Sequence, residues 1–131
     1  MAKKLFRIET EKIVGTQEGY ESGFFDNNRT ITSWSGNLSS LADGAFMFRQ
    51  SSIKNFTGDI GSETVKCSTY YMFARSDIET FTANVINTGS NGMFNGSNLR
   101  EFRVKKMDCH MLCEGFRGTP LEVFEVEEGR I

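Results

Sequence analysis

No stretch of this 131-residue chain is a long hydrophobic run. None approaches the roughly 20 apolar residues of a membrane span. The start, Met1-Ala2-Lys3-Lys4-Leu5-Phe6-Arg7-Ile8-Glu9, is basic, but charge returns at Arg7 and Glu9. An apolar core of about 7–15 residues, which a secretory signal needs, does not follow. Synthesis in the cytoplasm without export is therefore expected, with a cell-surface location only if a signal lies outside this chain. A basic excess is also missing. The net charge is −2 and the pI about 5.5, which argues against a nucleic-acid partner.

The residues that usually build catalytic and metal centres are scarce. There is one histidine and there are three cysteines. Cys109-His110-Met111-Leu112-Cys113 brings two thiols near the imidazole, but Cys67 is distant and no second pair completes a zinc set. Neither Cys67 nor His110 sits in a nucleophile motif. Cys113 precedes Phe116 as Tyr70 precedes Phe73, which suggests packing. Three free thiols, no metal and no cofactor are expected. Asn87-Thr88-Gly89-Ser90-Asn91-Gly92 lacks the lysine and helix of a phosphate-binding loop. Acidic residues stand singly, without calcium-loop spacing. The sequons at Asn28, Asn37, Asn55 and Asn95 read as by-products of an Asn/Ser/Thr-rich repeat.

What the chain has in quantity is phenylalanine, 12 copies, and glycine, 13 copies. The phenylalanines recur in a pattern. Met72-Phe73-Ala74-Arg75-Ser76-Asp77-Ile78-Glu79-Thr80-Phe81 matches residues 47–56 and 93–102, and 115–124 with Gly for Met and Thr for Ser. The shared order is Met-Phe, two variable residues, Ser, one variable residue, Ile or Leu, two variable residues, Phe. The closing aromatics Phe56, Phe81, Phe102 and Phe124 are 25, 21 and 22 residues apart. Self-similarity at such a period marks a solenoid. Phe25 and Ile31-Thr32-Ser33-Trp34 form a degenerate first copy, with Trp34 in the aromatic slot.

Three copies continue alike: Trp34-Ser35-Gly36-Asn37-Leu38, Phe56-Thr57-Gly58-Asp59-Ile60 and Phe81-Thr82-Ala83-Asn84-Val85. In the last two copies the aliphatic slot becomes Lys106 and Glu128, so thinner C-terminal rungs are expected. Residues 1–22 read as an N-terminal cap or half repeat and 23–131 as the solenoid, in one domain. The expected fold is a β-dominated, right-handed coil of five to six short parallel strands at the Ile-x-x-Phe segments. Short opposing strands or single helical turns are expected near the Met-Phe pairs.

Ile/Leu-x-x-Phe-x-Gly/Ala/Val, followed by Asn/Asp-aliphatic and a later Met-Phe, resembles the BspA-type leucine-rich repeats over about residues 23–126. The resemblance implies a leucine-rich-repeat-like coil. It also implies a bacterial surface or adhesion protein, or a bacteriophage structural protein, in which segments such as Asn37-Leu38-Ser39-Ser40-Leu41 also occur.

In a rung stack, equal positions form columns about 4.8 Å apart. Ile31/Ile53/Ile78/Leu99/Leu121, Trp34/Phe56/Phe81/Phe102/Phe124 and Phe25/Phe48/Phe73/Phe94/Phe116 would make the core. Outside, Lys54, Glu79, Arg100 and Glu122 would alternate in sign as a structural charge ladder. A candidate binding face would hold Ser33, Asn55, Thr80 and Glu101 in one column, and Ser35, Thr57, Thr82 and Arg103 in the next. No catalytic residue is assigned. A non-enzymatic structural or interaction protein is expected, and the resemblance together with the missing export signal implies a minor capsid, decoration or tail-associated component of a bacteriophage virion. A bacterial adhesin or host-binding module is the alternative, and a small enzyme is disfavoured. Protein partners such as a virion scaffold are expected, with no membrane partner and with self-association weak or partner-dependent.

Overall fold

The computed structural model describes residues 6–9, 12–15, 23, 25–89, 91–109 and 115–130, with 6–9, 12–15 and 130 described by backbone alone. The described residues form a β-solenoid of about four turns, without a helix. Seven strands make one sheet in sequence order: β1 (Phe6–Glu9), β2 (Lys12–Gly15), β3 (Ser33–Ser35), β4 (Asn55–Thr57), β5 (Thr80–Thr88), β6 (Glu101–Cys109) and β7 (Val123–Arg130). β1 and β2 form an antiparallel hairpin, and every later neighbour pair is parallel. Most of the 1–22 segment lies outside the described residues.

The strand register follows the aromatics. Trp34 pairs with Phe56, Phe56 with Phe81, Phe81 with Phe102 and Phe102 with Phe124. Neighbouring strand residues point to opposite faces, so these aromatics turn inward while the residues on either side turn outward. Phe25, Phe48, Phe73, Phe94 and Phe116 come from the opposite wall and meet them edge to face, as in Phe73 against Phe81 at 5.7 Å and 79°. Along each column the rings stack, for example Phe48 on Phe73 at 5.1 Å and 8°. Both geometries suit the ring quadrupole. From Trp34 to Phe102 the rings of this core are essentially inaccessible to water.

The opposite wall is built from turns rather than strands. In each copy, alternate N–H groups do different work. Those of Phe46, Phe48 and Gln50 donate to the carbonyls of Tyr70, Met72 and Ala74 in the next rung. Those of Met47, Arg49 and Ser51 donate three residues back, to Gly44, Phe46 and Phe48. The same alternation recurs around Phe73 and Phe94. The motif serine closes the turn: Ser76 Oγ donates to the Phe73 carbonyl at 2.8 Å, and Thr119 Oγ1 does so to Phe116 at 2.7 Å. Met47, Met72 and Met93 fill the core behind the turns.

The corner after the sheet depends on one residue type. Gly36 and Gly58 have φ of 151° and 157°, a region open chiefly to glycine. There β3 and β4 end after three residues. Ala83 and Val104 occupy the same slot in the next rungs and cannot bend the chain in this way. Strands β5, β6 and β7 therefore run on for 9, 9 and 8 residues, longer than the short strands that the repeat suggests.

The aliphatic slot also differs from expectation. Leu38 pairs with Ile60, and Ile60 with Ile86, not Val85. One residue is inserted at Asn84. Asp59 accommodates it, because its Oδ1 accepts the N–H groups of both Asn84 and Val85, at 2.8 and 3.0 Å. The register then carries the slot to Met107 and Gly129. Met107 is fully buried, so the sixth strand's rung is filled, and Lys106 projects outward instead. The longest interval between aromatics, 25 residues, is absorbed by a turn in which Ser62 N donates to Val65 O.

Candidate functional site

The outward face of the sheet carries the residues singled out by the repeat. Ser33, Asn55, Thr80, Glu101 and Val123 align in one column, and Ser35, Thr57, Thr82, Arg103 and Glu125 in the next. Five of these side chains bond to one another. Thr80 Oγ1 donates to Asn55 Oδ1 at 2.7 Å. Arg103 lies between Glu101, in its own strand, and Glu125 in the next, with Nε 3.1 Å from the Glu125 carboxylate. Both carboxylates hold the Arg103 pKa above its ordinary value, the hydrogen bond to Glu101 foremost.

Lys54, Glu79, Arg100 and Glu122 also adjoin in order. Each backbone N–H donates to the preceding member's carbonyl, at 2.7 Å from Glu79 to Lys54, 2.9 Å from Arg100 to Glu79 and 2.8 Å from Glu122 to Arg100. All four are exposed. Only Arg100 and Glu122 close an ion pair, at 2.7 Å. Further along β6, Lys106 Nζ reaches Glu63 at 2.7 Å, which raises the lysine pKa and lowers that of the glutamate.

Several sequon side chains are engaged internally. Asn28 Oδ1 accepts the N–H groups of Thr30 and Ile31, and Asn37 Oδ1 accepts the N–H of Asp59. The Asn/Asp slot is thus a cap from one rung to the next. Among the described residues Cys67 and Cys109 are buried, and Cys67 is a free thiol. Burial pushes the Cys67 thiol up to about 12. The described residues contain no group of three or more His, Cys, Asp or Glu side chains able to hold a metal. His110 and Cys113 lie outside the described residues.

A second surface, on the turn wall, was not visible in the repeat pattern. Phe46, Tyr70 and Tyr71 form an aromatic cluster, with Phe46 edge-on to Tyr70 at 5.5 Å and the two tyrosine rings 4.4 Å apart. Tyr70 is 41% exposed. Arg49 lies 4.5 Å over the Phe46 ring and is held by both oxygens of Asp26, at 3.1 and 2.6 Å. Beside them is a hollow of about 290 Å³ lined by Arg49, Gln50, Tyr71, Ala74, Arg75 and Asn95. The sequence signal for it was the variable positions on either side of Met-Phe. A motif read for what recurs passes over them.

Comparison with protein-family models, with curated proteins and with solved structures gave no match. The resemblance to BspA-type repeats therefore stands on the residues quoted for it alone.

Proposed function

We propose that this is a non-enzymatic structural and interaction protein, a bacteriophage virion component of the minor capsid, decoration or tail-associated kind. The observation that carries the structural part is how the exposed sheet columns are used. Arg100 with Glu122, Arg103 with Glu101 and Glu125, and Thr80 with Asn55 join neighbouring rungs across the surface. Such pairs fix register between strands. With the stacked aromatic core behind them, they make a stiff element with flat sides, suited to a fixed place in an assembly. The virion assignment rests on the repeat resemblance, and the partners it implies are proteins of the particle.

Density-purified particles from cultures carrying the gene test the reading. Recovery of the protein in the particle fraction, at constant stoichiometry to the major capsid protein, is the expected result. Recovery only in the soluble fraction would overturn it.

A further inference from the structure

The turn wall carries polar groups that nothing in the described structure satisfies. Successive rungs place Arg49, Ala74 and Asn95 in one column and Gln50, Arg75 and Gly96 in the next, as the bonds from Gln50 N to Ala74 O and from Arg75 N to Asn95 O require. Ala74 is small and nearly buried, so the column dips between Arg49 and Asn95. Gly96 has no side chain to cover Arg75 from the following rung. The Tyr71 ring lies so close over Gly92 that a β-carbon there would stand 2.0 Å from its Cε1. The hollow thus comes from small residues alternating with large ones along the solenoid axis.

Its chemistry is one-sided. Arg29 is paired with Asp77, Arg49 with Asp26, and Arg100 and Arg103 with glutamates. The Arg75 side chain has no hydrogen bond or ion pair among the described residues, and neither do the Gln50 and Asn95 amides or the Tyr71 hydroxyl. Of the two cations that line the hollow, Asp26 neutralises Arg49 and Arg75 is left uncompensated. An arginine fork matches a carboxylate with two parallel hydrogen bonds. Tyrosine and arginine are also the residues most enriched where protein interfaces concentrate their binding energy.

We propose that this hollow docks an acidic segment of a protein partner, with a Glu or Asp carboxylate on Arg75, its backbone on the Gln50 and Asn95 amides, and its flank against Tyr70 and Tyr71. This deepens the interaction reading above and rests on it. The occupant is assigned by charge complementarity to Arg75 and by the aromatic wall beside it.

The test is an NMR titration of the full chain with acetylated hexaglutamate at low salt. Saturable shifts are expected at the Arg75 side-chain N–H, the Gln50 and Asn95 amides and the Tyr71 ring. The Arg75→Gly variant places glycine where Gly96 and Gly118 already stand in the same column, so its fold should be kept. It should bind at least tenfold more weakly, whereas Arg103→Gln should bind as the parent does. Shifts spread evenly over all arginines, or binding unchanged in Arg75→Gly, would overturn the proposal. Equal or tighter binding of hexagalacturonate would also overturn it, by making the site one for acidic saccharides. If hexaglutamate fails to bind while the protein is still recovered in particles, the docking inference falls and the structural reading stands. If the peptide binds but the protein is absent from particles, the reverse holds.

Discussion

Phe56 and Phe81 lie 5.1 Å apart with their rings parallel to within 2°. Phe81 in turn sits edge-on to Phe73 and to Phe94, at 5.7 and 5.3 Å. It is therefore the middle of the strand ladder and touches the turn-wall ladder at two rungs. Phe81→Ala should cost about 3–5 kcal/mol, since stiff neighbouring rungs cannot collapse into the space it leaves. Urea unfolding of variant and parent gives the value. A loss below about 1 kcal/mol would mean that the ladder does not act as a continuous core.

The glycine corner makes a sharper contrast. A β-carbon on Gly58 would stand 1.8 Å from the Gly36 carbonyl oxygen, and the residue is at φ +157°. A β-carbon on Gly89 would meet only the Lys66 side chain, at 3.5 Å. Gly58→Ala should cost several kcal/mol and Gly89→Ala well under about 1 kcal/mol. Thermal melts of the two variants side by side measure the difference.

Much of this architecture was legible in the sequence, and the reason is spacing. The aromatic at each strand centre must face inward, and a slip of one residue would turn the whole row to solvent. Trp34, Phe56, Phe81, Phe102 and Phe124 therefore set the register by themselves. The insertion at Asn84 was not legible, because Val85 and Ile86 are both aliphatic and either could fill the slot. Asp59 decides between them through bonds that only three dimensions reveal. The hollow at Arg75 was hidden for another reason. It is made by differences between copies, and a consensus keeps only what they share.

The charge column predicts a small effect. Glu79 stands between Lys54 and Arg100, so Glu79→Lys would put three positive charges in succession on an exposed face. The loss should stay below about 1 kcal/mol and shrink as salt is raised from 0.05 to about 0.5 M. Chemical denaturation at the two salt concentrations checks both the size and the trend.

Cys67 predicts a dependence on pH. Its thiol is held at about 12, against an ordinary 9.0, chiefly because burial disfavours the thiolate. Below about pH 9 the thiol is protonated in folded and unfolded chains alike, and its contribution is intact. Above that, only the unfolded chain ionises. Stability should then fall by on the order of 1.4 kcal/mol per pH unit until the folded thiol titrates. Cys67→Ala should remove this part of the slope. In the native protein at pH 8, Cys67 should resist iodoacetamide for as long as the fold holds.

The chain's one tryptophan has a consequence for how the molecule can be watched. Trp34 is 1% exposed, stacks on Phe56 at 6.2 Å and lies edge-on to Phe25 and Phe48. It belongs to the first of the stacked aromatic rungs, while Tyr70 and Tyr71 sit at the middle of the coil. The two chromophores therefore sample different rungs of a stack in which each rung packs chiefly on its neighbours. Selective excitation of the indole reports the N-terminal rung, and once Tyr20 is replaced by Phe, tyrosine emission reports the centre. Unzipping from one end would separate the two signals in time, so the protein carries its own two-point optical record of how the coil comes apart.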